Sequence, residues 1–362
     1  MKNNIRLKYS NDVTFSHFHG ITVNNLGLKL YFPIIRERED IRKEIHDTPD
    51  LCKIFRDWNY DQQEMFLDFC SGVKGAKMLY DSFFKEIMNP EYAPERLNEL
   101  LSLLLGEKVV IKEVLPNDSV RIADETSLVI LDIVVELKDG SIANVEVQKI
   151  GYMFHGERAA CYSSDLLLRQ YKRVRSRLGK NFSYKNIKTV YTIVLFESSP
   201  KVFSDYPNTY IHKFRQISDT GIEIDLLQRY IFIPLDIFIN MLHNKGINNK
   251  LDAWLTFLSS DAPDDIVALI NKYPDFKKMY DEVYTMCLNT EKVMNMFSKE
   301  LAELDRNTVQ YMIDEMQDEI DGMQSEINGM KEQLNDKDSE INKKDNEIAL
   351  LRKQLEELKS KG

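Results

Sequence analysis

The chain has 362 residues, 43% of them hydrophobic, and a formal net charge of −10, enough to bury at least one sizeable core and an appendage. No apolar run approaches the roughly 18 residues of a membrane-spanning helix, and MKNNIRLKYS at the N-terminus has no apolar stretch behind its lysine; both exclude a membrane protein and predict a soluble, cytoplasmic one. Cys52, Cys70, Cys161 and Cys287 lack zinc or redox spacing and read as ordinary reduced thiols.

In chain order, residues 1–75 hold short mixed segments with aromatic residues and are left unassigned. Tyr80 to Met88 (YDSFFKEIM) predicts a helix. After Pro90, PERLNELLSLLLG predicts a second, strongly apolar helix that begins near Pro94 and stops at Gly106. KVVIKEV, from Lys108 to Val114, alternates as a strand. Two further strands joined by a tight turn lie in LVILDIVVELKDGSIANVEVQ, from Leu128 to Gln148. Glu157 to about Arg177 reads as a helix, TVYTIVLF from Thr189 as a buried strand, and Tyr230 to Pro234 as a last strand. This order predicts an α/β layer in which an antiparallel hairpin lies beside a crossover, which requires a mixed sheet.

From Leu235 onward the chain reads as helices. The final segment carries a heptad seam that opens Ile313, Met316, Ile320, Met323 and Ile327 and runs to Leu358 with spacings of 3 and 4. This predicts a coiled coil, interrupted at Lys337 and Lys344 and weakened by Gly322 and Gly329. Self-association is the sharper reading and a tail folded back on its own domain the plainer one; the first is favoured. The predicted division is an N-terminal segment 1–75, a core 76–235, a helical extension 236–305 and a coiled coil 306–360.

The hairpin is the most informative stretch, because it places acids where strands carry apolar residues. Asp132 lies between Leu131 and Ile133, and Glu146 between Val145 and Val147. A buried carboxylate must be paired, protonated or bound to metal. The loop decides whether the two acids meet. A two-residue loop, Asp139-Gly140, sets Asp132 opposite Val147 and sends the acids to opposite faces. A three-residue loop, Lys138-Asp139-Gly140 with Gly140 at positive φ, sets Asp132 opposite Glu146. The second register sorts the faces better. Leu131, Ile133, Val135, Leu137, Ala143, Val145 and Val147 then form an apolar face suited to a helix. Asp132, Glu136, Asn144, Glu146 and Gln148 form the other. Opposed carboxylates about 5 Å apart repel unless a cation lies between them, so a divalent metal site is predicted here.

The charge is unevenly spread. Leu301 to Gly362 holds 16 acidic and 9 basic residues, whereas Glu157 to Lys188 holds nine Lys and Arg against Glu157 and Asp165. Charge clustering alone describes a solvated helix face. Its place directly after the acidic hairpin turns the reading toward a phosphate-facing surface.

The order helix, strand, Asp-bearing strand, Glu-x-Gln strand, helix resembles the PD-(D/E)XK nuclease superfamily. FFKEIM, LDIVVELKDGSIANVEVQ, ERAACYSSDLLLRQYKR with the later Gly179 and Tyr184, TVYTIVLF and LDAWLTFL resemble its recombination-promoting nuclease and transposase (Rpn-like) branch, over roughly residues 75–320. The resemblance implies a restriction-endonuclease-like core followed by helices. It also implies metal-dependent hydrolysis of DNA phosphodiesters in recombination or transposition. Asp132 and Glu146 would hold Mg²⁺, with Mn²⁺ as a substitute, and Glu99 is a further candidate whose plainer reading is a solvent-facing helix residue. Gln148 takes the place usually held by the motif's lysine; it can orient a water but cannot supply positive charge. Lys149, next in sequence, is turned to the opposite face. Arg158, Tyr162, Arg169, Gln170, Lys172 and Arg173 on the following helix are candidate DNA contacts. The alternatives are a DNA-binding module without turnover and a coiled-coil interaction protein whose acidic face is structural.

Overall fold

The computed structural model describes residues 27–115, 133–150 and 156–359. The chain divides into two compact units, Met1–Glu300 and Leu301–Gly362. Asp132 and Leu131 lie outside the described residues.

The first unit is built around a six-stranded mixed sheet of β1 (Ile111–Val114), β2 (Ile133–Leu137), β3 (Ile142–Ile150), β4 (Val190–Ser198), β5 (His212–Phe214) and β6 (Gln228–Pro234), in the order β1-β2-β3-β4-β6-β5. Strand β2 runs antiparallel to both of its neighbours, β1 and β3; β3, β4 and β6 run parallel, and β5 closes the edge antiparallel to β6. A parallel pair needs a crossover of a dozen or more residues. Between β3 and β4 that crossover contains α6 (Gly156–Leu178). The central position of β4 explains its apolar character, since Val190 and the run Ile193 to Phe196 are all buried. The short strand β5 has no counterpart in the expected elements; three residues are too few to show alternation.

Residues left unassigned by sequence contain α1 (Arg38–Asp47), α2 (Pro49–Asp57) and α3 (Tyr60–Cys70). Helix α1 buries only Ile41 and Ile45, and α2 only Leu51, so neither shows a long periodic stripe. Helix α3 starts at a reciprocal cap: Gln62 N–H donates to Asn59 Oδ1 at 3.0 Å, and Asn59 N–H to Gln62 Oε1 at 2.9 Å. Helices α4 (Asp81–Ile87) and α5 (Pro94–Leu105) follow. In α5, Leu97, Leu100, Leu101 and Leu104 are buried, and Gly106 ends the helix at φ +80°. Beyond the sheet come α7 (Leu235–Lys245), α8 (Lys250–Ser259), α9 (Pro263–Lys272), α10 (Asp275–Met286) and α11 (Thr290–Lys359). The first turns of α11 bury Val293, Met294 and Phe297, and Phe297 meets Trp58 edge-on at 5.0 Å. In the second unit, the heptad-seam residues Met316, Ile320, Met323, Ile327, Met330 and Leu334 are exposed on the helix.

The hairpin has the three-residue loop. Ile133 pairs with Val145, Val134 with Asn144, Val135 with Ala143 and Glu136 with Ile142. Leu137 N–H donates to Ser141 O at 2.8 Å and Gly140 N–H to Leu137 O at 2.9 Å, with Gly140 at φ +91°. Asp139 steadies the bend by accepting from Ser141 N–H at 3.0 Å and Ser141 Oγ–H at 2.7 Å.

Both faces of the hairpin are covered. Ile133, Val135, Leu137, Ala143 and Val145 are buried together as foreseen, but the acidic face is covered as well. Ala159, Tyr162 and Leu166 of α6 share a buried cluster with Val134, Ile142, Val190 and Val194, which lie on the same face as Glu146. The reason is tertiary. Strand β4 brings Val190 and Val194 alongside the acids, and that apolar surface, absent from the hairpin itself, receives the helix.

Candidate active site

Glu146 and Gln148 are two residues apart on β3 and share the face beneath α6; both are buried, at 4% and 8% exposure. Glu146 lies beside Val194 and Gln148 beside Phe196 in the neighbouring parallel strand. From the first turn of α6, the Arg158 guanidinium reaches within 4.0 Å of Glu146 Oε1. Arg158 is oriented by its i+4 neighbour Tyr162: its Nε donates to the tyrosine hydroxyl, and its Cζ stands 5.3 Å from the ring centroid. Tyr162 is itself buried against the sheet. A carboxylate, a carboxamide and a guanidinium thus gather on one face.

Next to Glu146, Asn144 and Thr192 face each other across β3 and β4, both fully buried. Among the described residues neither side chain finds a hydrogen-bond partner. Such groups carry a desolvation cost of about 1 to 3 kcal/mol each.

Lys149 points away from this face, as its strand position requires. It is ion-paired with Glu300 at the start of α11, and its Nζ lies 5.4 Å from the Tyr80 ring centroid. Glu300 also accepts the Asp81 N–H at 3.1 Å. Burial pushes the Tyr80 hydroxyl up to about 12, with Lys77 pulling the other way. Burial works against the charge on Lys77, but Glu197, 3.2 Å away, holds its ammonium above the usual lysine value.

Toward the turn, Glu136 forms the floor of a cleft of about 790 Å³. Lys112 Nζ is 2.6 Å and Arg173 Nη2 2.9 Å from its carboxylate, and Arg177 stands at 4.0 Å. Arg173 also pairs with Glu113, and Lys172 lines the same cleft. The role of Lys112 was missed because only the β1–β2 pairing brings it to Glu136; its alternation in KVVIKEV was the available signal.

The remaining candidates are dispersed. Gln170 is buried and braces the turn: its Nε2 donates to Gly140 O at 2.9 Å, and its Oε1 accepts Lys188 N–H at 2.7 Å. Arg169 Nε lies 2.7 Å from Asp165 one helical turn back. Glu99 stays half-exposed to solvent while it meets α8, accepting from Trp254 Nε1 at 2.8 Å with Lys250 Nζ at 3.7 Å. Among the described residues no three His, Cys, Asp or Glu side chains form a metal cage; Asp132 is not one of those residues.

The structure thus holds a mixed sheet with an acid-bearing hairpin and a crossover helix rich in Lys and Arg. The sequence model of the PD-(D/E)XK nuclease family transposases matches residues 78–312, more than half of the chain, and the chain belongs to that family. No curated protein and no solved structure matches it. No helix among the described residues is long and apolar enough to cross a membrane.

Proposed function

We propose that the protein is a divalent-metal-dependent DNA endonuclease acting in transposition or recombination, with Asp132, Glu146 and Gln148 as its catalytic set. The observation that carries the reading is the β2–β3 register. Ile133 is paired with Val145; Asp132, which precedes Ile133 in the sequence and lies outside the described residues, would stand opposite Glu146 if that register continued one residue further. Two carboxylates supply the hard oxygen donors that Mg²⁺ prefers, and Mn²⁺ would fit the same donors. The ion, when bound, lowers the pKa of a water and stabilises charge on a phosphate oxygen.

The chain's own groups supply the rest. Gln148 can accept a hydrogen bond from the attacking water and donate one to a phosphate oxygen. It brings no positive charge, but Arg158, 4.0 Å from Glu146, stands where a guanidinium can hold the scissile phosphate in a forked contact. Lys172 and Arg173 extend the positive surface along α6 toward DNA backbone. Glu99, tied to Trp254, belongs to the helical framework in this reading.

The same Arg158 contact favours one second reading, a DNA-binding module without turnover in which the guanidinium stands in for the metal. Plasmid DNA incubated with the wild type and with Asp132→Ala, in Mg²⁺, Ca²⁺ and chelator, separates the two. Nicking by the wild type in Mg²⁺ alone supports the nuclease; salt-dependent binding without nicking in any condition selects the module.

We assign nuclease work to residues 76–235, support to 236–305 and self-association through a coiled coil to 306–360, the last because the seam residues are exposed on the helix. All four cysteines are free, which suits a reducing compartment such as the cytoplasm.

A further inference from the structure

At the far end of α6, three aromatic rings form a surface cluster that the proposed chemistry does not use. Tyr171 and Tyr184 stack with ring centroids 6.0 Å apart and planes 12° from parallel. Phe182 meets both edge-on, at 5.5 and 5.3 Å. Tyr184 is 73% exposed although it packs on Tyr171, so the outer part of the stack faces water. Tyr184 sits in a bend closed by local hydrogen bonds. It opens a short turn, Tyr184–Asn186, in which Ser183 N–H donates to Asn186 Oδ1 at 2.8 Å and Lys185 N–H to Ser183 Oγ at 3.4 Å.

The surroundings are cationic. Arg175 donates to the Tyr171 hydroxyl and lies 5.6 Å from that ring. Lys180 and Lys185 flank the rings in sequence. Among the described residues no carboxylate comes within ion-pair distance of Arg175, Lys180 or Lys185. Asn186, in the same turn as Tyr184, also lines the cleft over Glu136, where five Lys and Arg side chains face three carboxylates.

An exposed ring stacked on its neighbour, with cations beside it and a net-positive cleft behind it, has the layout of a site for unpaired nucleotides. Bases stack on the ring and phosphates lie against the cations. Duplex DNA, whose bases are already stacked, has no face to offer Tyr184. We propose that the Tyr171–Phe182–Tyr184 cluster is a stacking platform for single-stranded DNA, with the adjoining cleft as its phosphate seat. The inference rests on the nuclease reading only in taking DNA as the polymer.

The test is fluorescence anisotropy on the full chain in chelator, with labelled dT12, the dT12·dA12 duplex and rU12 as probes. Tyr184→Ala is expected to weaken dT12 binding by roughly 5- to 100-fold, the effect of losing one base–ring stack, and to leave duplex binding within about 2-fold. Tyr184→Phe, which keeps the ring, should bind dT12 as the wild type does. Tyr184→Trp should show new indole fluorescence that dT12 quenches. Unchanged dT12 binding by Tyr184→Ala, or equal weakening for dT12 and duplex, overturns the platform. Tighter binding of rU12 than of dT12 overturns the assignment to DNA. The nuclease reading fails separately, if the wild type does not nick a plasmid in Mg²⁺, and that result leaves the Tyr184 comparison intact.

Discussion

Lys149 of β3 is ion-paired with Glu300 of α11, and both side chains are buried, at 8% and 1% exposure. The pair ties the strand that carries Glu146 and Gln148 to a helix on its other side, and Glu300 reaches further to the first residue of α4. Removing one member strands a charge in the interior, which typically costs 3 to 5 kcal/mol. Lys149→Met and Glu300→Leu are each expected to lower stability by about 3 kcal/mol in urea unfolding, and the double variant to recover at least half of that loss. Single variants within about 1 kcal/mol of the wild type would show that the pair is solvated.

The turn that sets the register depends on Gly140, whose φ of +91° suits a residue without Cβ. A Cβ there would meet only Lys188 Cγ at 3.4 Å, an ordinary contact, so the cost of substitution is conformational. Gly140→Ala is expected to destabilise the chain by about 1 to 2 kcal/mol and Gly140→Asn by less, since asparagine tolerates this region. Thermal unfolding of the two variants checks the order; equal stability to the wild type would refute it.

Thr192 and Asn144 confront one another beside Glu146 without hydrogen-bond partners among the described residues. Thr192→Val keeps the shape and removes one unsatisfied hydroxyl, so it is expected to raise stability by up to about 1 kcal/mol. A loss larger than that in the same unfolding assay would show that an ordered water fills the gap and links the pair.

Ile320 and Ile327 lie on the heptad seam of the second unit and are exposed, at 52% and 45%. Light scattering on the full chain is expected to show an oligomer, and Ile320→Lys with Ile327→Lys to convert it to monomer. Lys337→Ile with Lys344→Ile should do the reverse and tighten association, because these lysines occupy seam positions. A wild-type chain that is monomeric at tens of micromolar would sink the coiled-coil assignment.

Much of the core is legible in the sequence because its signals are local. Helix α5 has a proline start, a glycine stop and a leucine stripe; β4 holds the apolar run Ile193 to Phe196; and the alternation of the two hairpin strands favours the three-residue turn Lys138-Asp139-Gly140 over the two-residue one. The seam from Ile313 onward was equally plain as periodicity. The helices between Arg38 and Cys70 were not, because each of the first two buries too few residues to leave a pattern.

Sequence by itself determined the alternation that puts Glu146 and Gln148 on one side of β3 and Lys149 on the other, since a strand's period of two allows nothing else. Only the tertiary structure decided what meets them. Strand β4 adds the valines that draw α6 over the acidic face, α6 delivers Arg158 to Glu146, β1 delivers Lys112 to Glu136, and α11 delivers Glu300 to Lys149. These partners are remote in sequence, and the pairing of strands and the burial of apolar surface, neither of which a local pattern encodes, brings them together.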